Sequence, residues 1–144
     1  MLVKVQLRLP CDARYVPILR NVTRCLLADL GAPGEASDDI QVAVSEACAN
    51  AVRHATGATE YLVSVGVDYD RCEIEIVDRG QQDQPLPDAP DVAHAEAEAG
   101  RGLLLMQALV DDFQFTRADD ATCVRLAKSW TGLKLGPRPP GTSY

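Results

Sequence analysis

A chain of 144 residues with 47% apolar content is long enough for one domain with a real core. Its net charge of −7 argues against a nucleic-acid surface built on counterion release, and no stretch is long and apolar enough to span a membrane. The five cysteines are odd in number, scattered and without a C-x-x-C pair, so neither a zinc site nor a disulfide framework is indicated. Reduced thiols in a cytoplasmic protein are the expectation, with Cys25 and Cys48 as small core residues.

In chain order, Leu2 to Leu9 alternates, with Val3, Val5, Leu7 and Leu9 on one face and Lys4, Gln6 and Arg8 on the other. That predicts a half-buried strand, and the segment lacks the apolar core of a signal peptide. Pro10 to Asp12 breaks it. Ala13 to Leu30 predicts a helix, with Ile18, Val22, Cys25, Leu26 and Leu30 recurring at helical spacing and Pro17 in its first turn. Gly31, Pro33 and Gly34 end it.

Ser37 to Ala55 predicts a long amphipathic helix, capped by Ser37, with Asp38 and Asp39 in its first turn. Ile40, Val44, Ala47, Cys48, Ala51 and Ala55 form its core stripe. Asn50 stands at the edge of that stripe and Glu46 further round, one turn away, so the two side chains reach the same space. They read either as the lining of a cleft or as a boundary amide beside a solvated carboxylate.

Glu60 to Val67 and Arg71 to Val77 predict a hairpin around Asp68-Tyr69-Asp70. Cys72, Ile74 and Ile76 share a face, and their parity carries Asp78 onto it. A carboxylate directed at the core layer needs a partner; the alternative is that Asp-Arg-Gly merely opens a turn. Gln81 to Ala99, with Pro85, Pro87 and Pro90, is long for a connection and reads as a lid or a disordered segment. Gly100-Arg101-Gly102 then opens an apolar helix, a suitable anion site through its free N–H groups. Phe113 and Phe115 alternate in a short strand. Thr122 to Lys128 predicts the last strand, with Thr122 inward beside Val124 and Leu126. Residues 1–130 form the expected domain, and 131–144 reads as a disordered tail.

The ordered set of boxes resembles the ATPase superfamily shared by gyrase, histidine kinases, heat-shock chaperones and mismatch-repair ATPases. Within it the chain is most similar to the small bacterial anti-sigma factor serine kinases. The first box is Glu46-Ala47-Cys48-Ala49-Asn50-Ala51-Val52-Arg53-His54-Ala55, the second Asp78-Arg79-Gly80, the third Gly100-Arg101-Gly102-Leu103. The pattern departs from that family at Gln82 and Ala121, where a glycine is usual.

The resemblance implies a two-layer α/β sandwich of the Bergerat ATP-binding type: a mixed, mainly antiparallel sheet with three helices packed on one face. It implies ATP and Mg²⁺ as ligands, with Asn50 on the ion through its side-chain oxygen. Asp78 would accept from the adenine amino group, Gly80 would let the base approach, and Thr122 would hold the adenine end. Gly100, Gly102 and the helix start, with Arg101 and Leu103, would take the phosphate end, and His54 would stand near the pocket. Glu46 would orient or deprotonate an attacking serine hydroxyl. The implied function is serine kinase activity toward an anti-anti-sigma protein of the STAS type, combined with sequestration of a sigma factor. A homodimer is expected, and Arg20 on the first helix is the counterpart of a shared partner contact. A nucleotide-binding interaction module without kinase activity is the alternative.

Overall fold

The computed structural model describes residues 1–54, 60–78, 98–118 and 121–130. Alternation at the start of the chain produces β1 (Val3–Pro10), with Lys4, Gln6 and Arg8 exposed and Leu9 buried. Asp12 then caps a short 3₁₀ turn, Ala13–Tyr15, by accepting from the Arg14 amide at 2.9 Å. The helix α1 (Val16–Asp29) follows.

Its buried stripe differs from the sequence expectation. Leu19, Thr23 and Leu27 are fully buried, whereas Ile18 and Cys25 are exposed. The true stripe lies one residue further along the chain and includes a threonine. Thr23 is tolerated there because its hydroxyl donates to the Leu19 carbonyl at 2.8 Å, so no polar group is left bare. Gly31, at φ 77°, takes the left-handed conformation that closes α1, and its amide donates to the Ala28 carbonyl.

The second helix, α2 (Gly34–His54), starts three residues before the expected cap. The Ser37 amide donates to the Pro33 carbonyl at 2.9 Å, so Ser37 is already inside the helix. Its hydroxyl instead accepts from the Gln41 side chain at 2.9 Å. The core stripe is as expected: Ile40, Val44, Ala47, Cys48 and Ala51 are buried, joined by Ala36 and Ala43. Ala55 lies outside the described residues.

Strands β2 (Glu60–Val67) and β3 (Arg71–Asp78) form the expected hairpin, with Asp78 as the last strand residue. The expected lid lies outside the described residues up to position 97, as does the tail 131–144. The chain re-enters at α3 (Glu98–Leu109), then β4 (Asp112–Ala118) and β5 (Ala121–Ser129). The five strands run in the order β1-β2-β3-β5-β4, and each of the four pairings is antiparallel. The layered architecture is the expected one, with a sheet that is antiparallel at every described pairing.

Helices cover one face of this sheet, α2 lying between α1 and α3 and touching β3 and β5. Tyr61, Val63, Val65, Val67, Cys72, Ile74, Ile76, Val124 and Leu126 point into that layer and are buried. Each large apolar side chain so buried contributes roughly 1.5–3 kcal/mol relative to exposure. Trp130 seals the lower edge: its indole donates to the Tyr69 carbonyl at 2.6 Å and its amide to the Asp70 carbonyl at 2.9 Å. Lys128 ties the layers together, donating to the Leu109 carbonyl at 2.7 Å and pairing with Asp39 at 3.1 Å. The last carbonyl of α3 is thereby satisfied by a cation, which also suits the helix dipole.

Candidate functional site

Strand parity delivers Asp78 to the helix side of the sheet, at the end of β3. It pairs with Tyr61 on one side and Thr122 on the other. The Thr122 hydroxyl donates to the Asp78 backbone carbonyl at 3.5 Å. Asp78 is only 5% exposed, and its Oδ1 has no hydrogen-bond partner among the described residues. Burial pushes its carboxyl above the usual carboxylate range.

Helix α2 crosses above this strand end. It places Asn50, 7% exposed, over the same cleft, and Asn50 Oδ1 is likewise without a partner among the described residues. Ala47 and Ala51 keep the cleft open on the helix side, while Ile76, Phe115 and Val124 supply its apolar wall. The sequence reading assigns no role to these last three residues; alternation along β3, β4 and β5 is the signal that puts them there. A buried acceptor without a donor costs about 1–3 kcal/mol. Two such oxygens in one cleft are acceptors available to an external donor.

Glu46 stands one turn before Asn50 on α2 and is half-buried. Its carboxylate lies against Gly102 of α3: a β-carbon at Gly102 would stand 2.8 Å from Glu46 Oε2. The packing of α2 on α3 therefore brings the first and third sequence boxes together. Helix α3 begins at Glu98, so Gly100 and Gly102 lie within its opening turns rather than before them. Leu103 points into the core at 3% exposure. Arg101 is helical and His54 is the last residue of α2, but both side chains lie outside the described residues, as does Gly80.

Two further groups border the Asp78 end. The Cys11 thiol is pushed up by burial first, then by Asp78 and Glu60. The Tyr61 hydroxyl, buried at 1% exposure, stands beside the Cys48 thiol, and burial followed by that thiol pushes its pKa up. Cys48 itself is pushed up to about 12 by burial, so it is an inert core thiol.

A larger concavity lies on the opposite, open face of the sheet, over Ser64, Glu73, Glu75 and Arg125. Its carboxylates are paired with arginines. Arg71 bonds Glu73 and Asp112, each at 3.0 Å, and Arg125 pairs with Glu75 at 3.6 Å. The orphan acceptors among the described residues are all on the helix side, which makes the smaller cleft the candidate site.

Compared with known families, residues 9–128 match the Histidine kinase-like ATPase domain. The chain belongs to this family. Membership of a histidine kinase-like ATPase domain family implies ATP binding. Among full-length relatives, the chain is 31% identical to the serine-protein kinase RsbW of Bacillus velezensis, covering 91% of this chain and 88% of that one. It is 33% identical to the serine-protein kinase RsbW of Bacillus subtilis, with the same coverage. In three dimensions it resembles the crystal structure of the RsbU and RsbW domains of Rv1364c from Mycobacterium tuberculosis, with a TM-score of 0.67 at 22% identity. That match covers 88% of this chain and 32% of the other, and establishes the shared fold.

Proposed function

We propose that this chain is an ATP-dependent serine kinase that acts on an anti-anti-sigma protein of the STAS type and sequesters a sigma factor, both in the cytoplasm. One observation carries the reading. Two buried acceptor oxygens, on Asn50 and Asp78, lie in one cleft without donors among the described residues, and a carboxylate stands one turn from Asn50 against the start of α3.

In this reading Asp78 accepts from the adenine amino group, and Thr122 braces the strand end that carries it. Gly80, Gly100, Gly102 and Leu103, with Arg101 and His54, complete the nucleotide site. Asn50 Oδ1 is a hard oxygen ligand suited to Mg²⁺. When bound, that ion would neutralise charge on the phosphate oxygens. Among the described residues no group of His, Cys, Asp and Glu is arranged as a metal site, so Asn50 would act with the nucleotide's own oxygens. Glu46 holds the serine hydroxyl and takes its proton as the serine oxygen bonds to the γ-phosphorus. The bridging bond to the β-phosphate breaks and ADP leaves. Arg20 belongs to the surface that both protein partners use, and the working unit is a homodimer, which sedimentation tests.

Transfer of labelled γ-phosphate from ATP to a serine of a purified STAS-domain protein tests the reading. Serine labelling that disappears in Glu46→Ala, with ATP still bound, is the expected result. ATP binding without transfer to any such protein would leave a nucleotide-binding interaction module instead.

A further inference from the structure

The seam between α2 and α3 has an outer side that the nucleotide site does not use. Two contacts set how the helices lie. Glu46 meets Gly102, and Lys128 joins Asp39 to the Leu109 carbonyl. Residue 46 is thus level with 102, and 39 with 109, so the helices run antiparallel, residue 42 falls level with 106, and Val42 and Leu105 lie within one residue of a common level. Both of those positions are apolar and exposed: Val42 is 43% and Leu105 38% exposed. They are the exposed large apolar side chains of these two helices among the described residues. They sit one turn from the Glu46–Gly102 contact.

The line continues along α2. Asp38, Val42 and Glu46 are spaced four residues apart and share one stripe. Asp38 is exposed, with exposed Glu35 beside it one turn back, so this end of the seam is acidic. The three groups are graded: a proton acceptor, then an apolar pair, then negative charge. At a rise of about 1.5 Å per residue they span about 6 and about 12 Å.

We infer that the outer α2–α3 seam is the docking surface for the protein whose serine Glu46 serves. This rests on the kinase reading above. The occupant is a protein surface that presents three groups in line: the serine hydroxyl, an apolar side chain about 6 Å from it, and a lysine or arginine about 12 Å from it. The apolar side chain seats on Val42 and Leu105, and the cation meets Asp38 and Glu35. Charge complementarity sets the direction of docking, since reversing the partner would bring its cation past Glu46 towards the phosphate end and leave the acidic end unpaired.

The test uses the full chain, [γ-³²P]ATP and a purified STAS-domain protein that the wild-type chain labels. Val42→Asp and Leu105→Asp should each raise KM for that protein at least about tenfold, with kcat, ATP affinity and melting temperature unchanged. Asp38→Lys should do the same, and exchanging the substrate's lysine or arginine about 12 Å from its phosphorylated serine for glutamate should restore the KM. Unchanged KM in Val42→Asp and Leu105→Asp, in a chain that labels its substrate normally, overturns the seam while leaving the kinase intact. Equal losses of kcat and ATP affinity would show structural damage and overturn it too. A wild-type chain that labels no STAS-domain protein overturns the kinase reading itself, and the seam with it.

Discussion

The Glu46 carboxylate occupies the space beside Gly102 that a side chain would need, since a β-carbon there would stand 2.8 Å from Oε2. The obstructing atom is the end of a flexible side chain, so in Gly102→Ala the carboxylate yields rather than the helix. Alanine favours a helix interior by about 1 kcal/mol over glycine. Gly102→Ala should therefore melt at the wild-type temperature or higher, while phosphoryl transfer falls at least about tenfold through a misplaced Glu46. A stable variant that transfers phosphate at the wild-type rate would remove Glu46 from the role proposed for it.

Asp78 gives a pair of effects with opposite signs. Burial raises its pKa in the folded chain, so the folded state holds that proton more tightly than the unfolded chain does. Its stabilising contribution is full below the unfolded value of about 3.9 and is lost as pH rises through the raised folded value. Asparagine suffers no such loss. Without nucleotide, Asp78→Asn should gain stability relative to wild type as pH rises from about 4 towards neutrality. Its ATP affinity should nevertheless fall by about 1–3 kcal/mol, because the acceptor for the adenine amino group is replaced. Thermal melts across pH, with calorimetric ATP titration, check both halves; a destabilised variant with unchanged affinity would contradict each.

What the sequence disclosed followed from strict periods. Alternation in β1, β2 and β3 gave those strands their faces, and the same parity brought Asp78 and Thr122 inward, where they pair. The α1 stripe was misread because Thr23 is a core residue disguised by its hydroxyl, which the Leu19 carbonyl satisfies. The start of α2 was misread because Ser37-Asp38-Asp39 imitates a cap, although the helix already runs from Gly34. The contact between Glu46 and Gly102 was not legible at all. It depends on how two helices distant in sequence pack, and no local period encodes that.

Asn50 and Glu46 should separate binding from chemistry. Asn50→Ala is expected to weaken ATP binding in Mg²⁺ by about 1–3 kcal/mol and to leave the residual binding in EDTA little changed, since the amide oxygen acts through the ion. Glu46→Ala should keep ATP affinity in both conditions and lose transfer. Equal loss of affinity in EDTA and in Mg²⁺ for Asn50→Ala would point to a packing role instead.

Arg20 and Arg24 lie exposed on α1, one turn apart, so removing either should cost the fold little. Arg20→Ala is expected to weaken binding of the sigma factor, the anti-anti-sigma protein, or both, by about 1 kcal/mol or more, with ATP affinity unchanged. Pull-downs with each purified partner decide it. Wild-type binding of both, or one subunit holding both at once, would place the shared surface elsewhere.

The lateral row Leu9, Tyr61, Asp78 and Thr122 crosses β1, β2, β3 and β5 at one level of the sheet. Because side chains alternate, a single residue inserted or deleted between Cys72 and Asp78 would turn the carboxylate to the open face without altering any residue of the site. The cleft therefore constrains the length of this strand as firmly as its chemistry. Over evolutionary time, β3 is a segment where related chains should differ by substitution and not by gaps.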